Sequence, residues 1–166
     1  ALPSPRPIGE NREMSQTAPV QLDEVNRAIV HLLQEDGRRS FADIAKRVNR
    51  SEASVRQRVG RLMRAGVIQI VAITDQLQMG YQRAAMIAIR VDGDIESAAR
   101  QIGAIDEVDY LVATAGGVDL FAEVVAVDDE NLYDVVTRIR AVPGVRHAES
   151  YVYFKLHKQT YQWGAR

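Results

Sequence analysis

Between Leu22 and Gly66 apolar positions recur at helical spacing in three successive runs. Leu22, Val25, Ile29, Leu32 and Leu33 make the first stripe; Asp23 is placed to cap it and Gly37 to end it, which predicts a helix over about 23–36. Ser40-Phe41-Ala42-Asp43 has the form of a capping box, and Phe41, Ile44, Ala45 and Val48 follow at the i, i+3, i+4, i+7 spacing of a short second helix. In the third run, about 52–64, Val55, Val59, Leu62 and Met63 share one face, while Ala53, Ser54, Gln57, Arg61 and Arg64 lie opposite. Ser51 stands at its N-cap and Gly66 at its C-terminal cap. Only Asn49 to Ser51 separate the last two helices. That is a helix-turn-helix: the first helix braces, and the second enters the DNA major groove by its N-terminal residues. The helix over 23–36 supplies the third element needed to bury a core around it.

Beyond Gly66 the period shortens. Val67 to Ile73 is rich in β-branched residues and predicts a strand or hairpin, with Asp75 to Gly80 as a linker. Alternating patterns then predict strands at Arg83–Val91, Val108–Ala115, Leu120–Val127 and Val145–His157. Amphipathic helices lie between, one carrying Ile95, Ala98, Ala99 and Ile102, the other Leu132, Val135, Val136 and Ile139. A weak repeat supports this order, since Ile102-Gly-Ala-Ile105-Asp-Glu-Val108 and Ile139-Arg-Ala-Val142-Pro-Gly-Val145 place aliphatics at the same offsets. The result is βαββαβ, a ferredoxin-like unit. The fold class is therefore α+β: a three-helix helix-turn-helix domain at 21–66, a β linker at 67–80, and a ferredoxin-like domain at 81–158 followed by a tail, 159–166. Residues 1–20 hold four of the five prolines and no apolar period, and are expected to be a disordered leader.

Two helices cover only one face of a four-stranded sheet. Yet Ala85, Ile87, Ile89 and Val91 alternate with Ala84, Met86 and Ala88, so both faces of the first strand are apolar. A second copy is the economical cover, because a two-fold interface uses one patch twice. A dimer also suits paired recognition helices on a pseudo-palindromic site.

Charge separates the halves. Leu22 to Gly66 holds ten Lys/Arg against six Asp/Glu, whereas Tyr81 to Lys158 holds eight against thirteen, so only the first half suits a polyanion. Within 49–66 Arg50, Arg56, Arg58, Arg61 and Arg64 face a single acid, Glu52. The candidate DNA-binding set is Ser51, Ala53, Ser54, Arg56, Gln57, Arg58, Arg61 and Arg64. Gln57 can pair with adenine in bidentate fashion, and Arg61 can bind guanine or a phosphate. The competing reading of Arg58 and Arg61 is an ion pair with an acid on a neighbouring helix.

The stretches LDEVNRAIVHLLQEDGRRSFADIAKRV and SEASVRQRVGRLMRAGVI, with the GGVDL turn, resemble in order and spacing the Lrp/AsnC (feast/famine) family of transcription regulators. The resemblance implies a DNA-binding domain, a β linker and a ferredoxin-like effector domain, in dimers that commonly assemble to octamers, bend or wrap DNA, and respond to amino acids. It also implies an effector site near the turn between the middle strands: Gly116, Gly117, Val118 and Asp119, with Glu149 and Ser150 on the last strand. Glycine amides can approach a ligand carboxylate closely, and Asp119 can accept hydrogen bonds from its ammonium group. The competing reading is a tight turn that needs positive φ. The chain departs from many relatives in having Val118 for an aromatic and Ala115 for a threonine.

No Cys occurs, which excludes disulfides and Cys-type zinc sites and fits a cytoplasmic, nucleoid-associated protein. Enzymatic activity is not expected. His31, His147 and His157 are too scattered for a metal site or a catalytic base, and Asp128-Asp129-Glu130 opens a helix, where acids meet the dipole favourably. The expected partners are double-stranded DNA, a second copy and an amino acid effector, without cofactor, metal or membrane. Two rival readings remain: an architectural protein that compacts DNA without an effector, and, further off, a small ferredoxin-like enzyme.

Overall fold

A computed structural model of the chain describes residues 22–159. The expectations for the leader and for most of the tail lie outside them. The chain divides into two units between Ala72 and Ile73.

In the first unit each helix starts on the cap expected for it. α1 (Glu24–Glu35), α2 (Phe41–Arg47) and α3 (Glu52–Arg64) begin after Asp23, Ser40 and Ser51, whose side chains accept the backbone N–H of Asn26, Asp43 and Ser54 respectively. α2 ends at Val48, and Asn49 takes a left-handed φ of 51°, a conformation its side chain tolerates better than most, to turn the chain into α3. α3 closes in a Schellman arrangement. Gly66, at φ 67°, donates to the Met63 carbonyl, and Val67 donates to the Leu62 carbonyl. Ile29, Leu33, Ile44, Ala45, Val55 and Val59 form the shared core.

The strand expected over 67–73 does not form. Among the described residues, 67–73 stay outside the four-stranded sheet. Ile68 and Ile70 instead pack on the helical core, so their apolar character serves burial without pairing. The segment expected as a linker over 75–80 is a tight turn, in which the Asp75 carboxylate accepts the Leu77 N–H and Tyr81 donates to the Gln76 carbonyl.

The second unit follows the βαββαβ order: β1 (Arg83–Val91), α4 (Ile95–Ile102), β2 (Val108–Ala113), β3 (Leu120–Ala126), α5 (Asp129–Arg140) and β4 (Val145–Val152). β2 and β4 are shorter than expected. Their predicted ends, Thr114-Ala115 and Tyr153 to His157, run past the last paired residues. The antiparallel sheet has the order β2-β3-β1-β4. Register places Ala85, Ile87 and Ile89 beside Val124, Ala122 and Leu120 on the face that α4 and α5 cover through Ala98, Ile102, Leu132, Val135 and Ile139. The repeat is structural: Ile105 donates to Ile102 and Val108 to Ile105 after α4, and Val142 to Ile139 and Val145 to Val142 after α5. No helix among the described residues is long and apolar enough to cross a membrane.

Candidate nucleic-acid interface and effector site

α3 presents Ala53, Gln57 and Arg61 at i, i+4, i+8, all three exposed. The side chains of Gln57 and Arg61 make no hydrogen bond among the described residues. The remaining candidates are engaged to differing degrees. Ser51 Oγ is occupied as the N-cap, and Ser54 is half-buried behind it. Arg56 pairs with Glu52 at 2.7 Å, and its guanidinium stands 5.2 Å from the centre of the Phe41 ring. Arg64 folds back along the helix, its Nη1 3.3 Å from where a Cβ on Gly60 would stand.

Arg58 meets the competing reading, an ion pair with an acid on a neighbouring helix. Its position, three residues after the buried Val55, turns it toward α1, where Nη1 donates to Asp23 Oδ2 at 2.6 Å and to Asn26 Oδ1 at 2.9 Å. Asp23 thus uses one oxygen to cap α1 and the other to hold α3. The Arg58 hydrogen bond, followed by the Asn26 N–H, holds its carboxyl below the usual 3.8.

In the second unit, the turn between β2 and β3 is tied down at its ends and open in the middle. Thr114 N–H donates to the Asp119 carbonyl, and Thr114 Oγ1 donates to Val118 O at 2.6 Å. Asp119 Oδ2 accepts the Val91 N–H at 2.8 Å, beside the irregularity that shifts the β1–β4 register between Arg90 and Val91. One carboxylate oxygen of Asp119 is therefore structural. Gly116 and Gly117 do not have the left-handed φ that the tight-turn reading requires, and a Cβ on either would meet nothing within 4 Å. The fold leaves their amides approachable without demanding glycine.

β4 separates two of the predicted residues. Ser150 pairs in register with Ile87 and so lies on the helix-covered side, its Oγ buried without a partner, whereas Glu149 pairs with Ala88 and lies on the open side. Adjacent strand residues face opposite ways, so Ser150 leaves the candidate site and Glu149 stays. Glu149 and Val118 line an open cavity of about 280 Å³ together with Ala88, Arg90, Arg146 and His147. Sequence reasoning missed the last three. Arg90 continues the even-numbered face of β1 begun by Ala84 and Met86, which was the signal available; its pairing with His147 is long-range register, which no local pattern carries.

A helix-turn-helix unit joined to a ferredoxin-like unit with a polar cavity beside an open turn defines a DNA-binding protein with a ligand domain. Comparison with known proteins makes the class specific. Residues 22–63 match the AsnC-type helix-turn-helix domain, and residues 84–163 match the Lrp/AsnC ligand binding domain. An HTH-type transcriptional regulator of Pyrococcus abyssi is 36% identical over 148 residues, 87% of this chain and 91% of that protein. The leucine response regulatory protein LrpA of Mycobacterium tuberculosis superposes with a TM-score of 0.77 at 28% identity, over 85% of this chain and 98% of its own. A Neisseria meningitidis transcriptional regulator, solved as a complex with L-Met, superposes with the same TM-score at 24% identity, over 85% and 95% of the two chains. The chain belongs to the Lrp/AsnC family of DNA-binding transcriptional regulators.

Proposed function

We propose that the protein is a sequence-specific regulator that reads the major groove through Ala53, Gln57 and Arg61 as a dimer or larger assembly, and that an amino acid bound in its second unit modulates it. One observation carries the reading of DNA: Gln57 and Arg61 stand one turn apart, exposed and without a partner among the described residues, on the second helix of a helix-turn-helix. The modulation rests on Gly116 and Gly117, whose backbone is approachable for no reason internal to the fold, and is supported by the L-Met complex of the Neisseria relative. Such a protein works in the cytoplasm on the nucleoid and carries out no chemistry.

The test uses duplexes selected by the protein from a random pool, with binding followed by fluorescence anisotropy across a salt series. Gln57→Ala is expected to cost about 1–3 kcal/mol on the selected site and little on random duplex. Arg61→Ala is expected either to relax a guanine preference or to reduce the salt slope by about one. Both variants are expected to keep the wild-type circular dichroism spectrum. If the double variant binds the selected duplex as tightly as the wild type, α3 is not the reader.

A further inference from the structure

We infer that the cavity beside the open turn takes a small dicarboxylate amino acid, of the size of aspartate or glutamate. The inference rests on the amino-acid reading above and names the ligand class. The second unit is acidic overall, with eight Lys/Arg against thirteen Asp/Glu between Tyr81 and Lys158. Against that background Arg90, Arg146 and His147 converge on one cavity that holds a single carboxylate, Glu149. A second cavity of about 200 Å³ shares Arg146 and His147 and adds Arg140 to the same end of the sheet. Two arginines against one carboxylate, with Arg140 beside them, make this a cationic spot in an acidic domain and favour an anion.

The groups are also free to act. Arg90 is exposed and makes no hydrogen bond among the described residues. Arg146 approaches only Asp92, at 3.7 Å, with both side chains more than half exposed, an ion pair of little strength. Arg140 is the fixed member, donating to the Ala148 carbonyl at 3.0 Å. The Glu149 carboxylate interacts with the Tyr151 hydroxyl and, with burial, holds that phenol above its usual range.

The chemistry divides among the residues. Glu149 is the acceptor for the ligand ammonium. Arg90, its neighbour along the open face, forms a charge-assisted pair with one carboxylate, and Arg146 with His147 receives the other. Val118 and Ala88 close the cavity with short apolar side chains, which leave room for a ligand that extends toward the cations. A volume near 280 Å³ lies at the lower edge of small-molecule sites, which begin at about 300 Å³, so a metabolite fits and a nucleotide does not.

Isothermal titration of the full chain at fixed ionic strength, with L-glutamate, L-aspartate, L-glutamine, L-leucine and succinate, tests this. L-glutamate or L-aspartate is expected to bind at least about tenfold more tightly than L-glutamine and L-leucine, as one lost charge-assisted pair would produce. Arg90→Gln is expected to abolish that preference. Glu149→Gln is expected to weaken the acidic amino acids and leave succinate unchanged, because succinate has no ammonium. Tighter binding of a neutral amino acid, unaffected by Arg90→Gln, overturns the dicarboxylate assignment while the amino-acid reading stands. Silence of all five ligands, with Arg90→Gln instead lowering DNA affinity, overturns both and assigns the cations to the phosphate backbone.

Discussion

At the scale of single residues, the division of labour among the arginines of α3 decides what the helix can do. Five arginines in eighteen residues look like one basic surface, but Arg58 pairs with Asp23 and Arg56 with Glu52, while Arg61 is exposed and has no such pair among the described residues. Arg58 is thus a positioning residue that fixes the recognition helix against α1. Arg58→Ala is expected to weaken binding to a selected duplex while leaving the salt slope at its wild-type value, because no phosphate contact is lost. Asp23→Ser retains a cap for α1 and removes the partner, and is expected to reproduce the effect; the double variant should be no worse than either single one. A slope that falls by about one in Arg58→Ala would return Arg58 to the DNA surface. The pH dependence gives an independent readout. Asp23 has a lower pKa folded than unfolded, so its contribution to stability is complete above 3.8 and is lost as pH falls through the depressed native value. Arg58→Ala should shorten that acid limb of the melting curve. Asp23 was legible as a cap, three residues from its target, whereas its partner lies thirty-five residues away and became visible only once the helices packed.

At the scale of elements, local pattern carried most of the fold, and it failed where an element needs something beyond its own residues. All three caps of the helix-turn-helix and the linked repeats after α4 and α5 were visible, because they depend on neighbours within a few positions. The strand expected over 67–73 failed because β-branched composition describes a pleated surface and says nothing of a partner. Glycines show the same boundary. Gly66 and Gly116 both punctuate the sequence at turns, but only Gly66 has a left-handed φ, and the backbone alone reveals it. Gly66→Ala is therefore expected to destabilise the first unit by about 1–2 kcal/mol, through a strained Cβ at the Schellman turn. Gly116→Ala should stay within about 0.5 kcal/mol of wild type, since its Cβ enters open space. Urea unfolding monitored by circular dichroism separates the two. A large loss at Gly116 would show that the turn has a structural requirement for glycine and would remove the argument that its openness serves a ligand.

At the scale of the whole molecule, the sheet face away from α4 and α5 is unfinished. The part-buried Met86 on β1 and Phe121 on β3 and the half-exposed rings of Tyr110 and Tyr151 share it, an apolar patch open to a partner. Glu123 lies in its centre, between Met86 and Tyr110 in register, and accepts from the Tyr153 hydroxyl. Burial first, and then that hydrogen bond and charge, push the Tyr153 phenol up to about 12. We propose that a second copy docks on this face, where the Glu123–Tyr153 pair, its polar groups satisfied, would fix one two-fold arrangement over general stickiness. Met86→Lys tests this without threatening the sheet, because the new ammonium lies directly across from Glu123 and the cross-strand pair is attractive. Sedimentation equilibrium is expected to show the variant as a monomer at concentrations where the wild type is a dimer or larger. Asp134→Lys, on the exposed side of α5, should keep the wild-type mass. DNA affinity should fall with the mass, since two recognition helices held together bind a pseudo-palindrome at a high effective concentration and a lone helix does not. If Met86→Lys keeps the wild-type mass and affinity, this face is not the interface, and the pairing of recognition helices must come from residues outside the sheet.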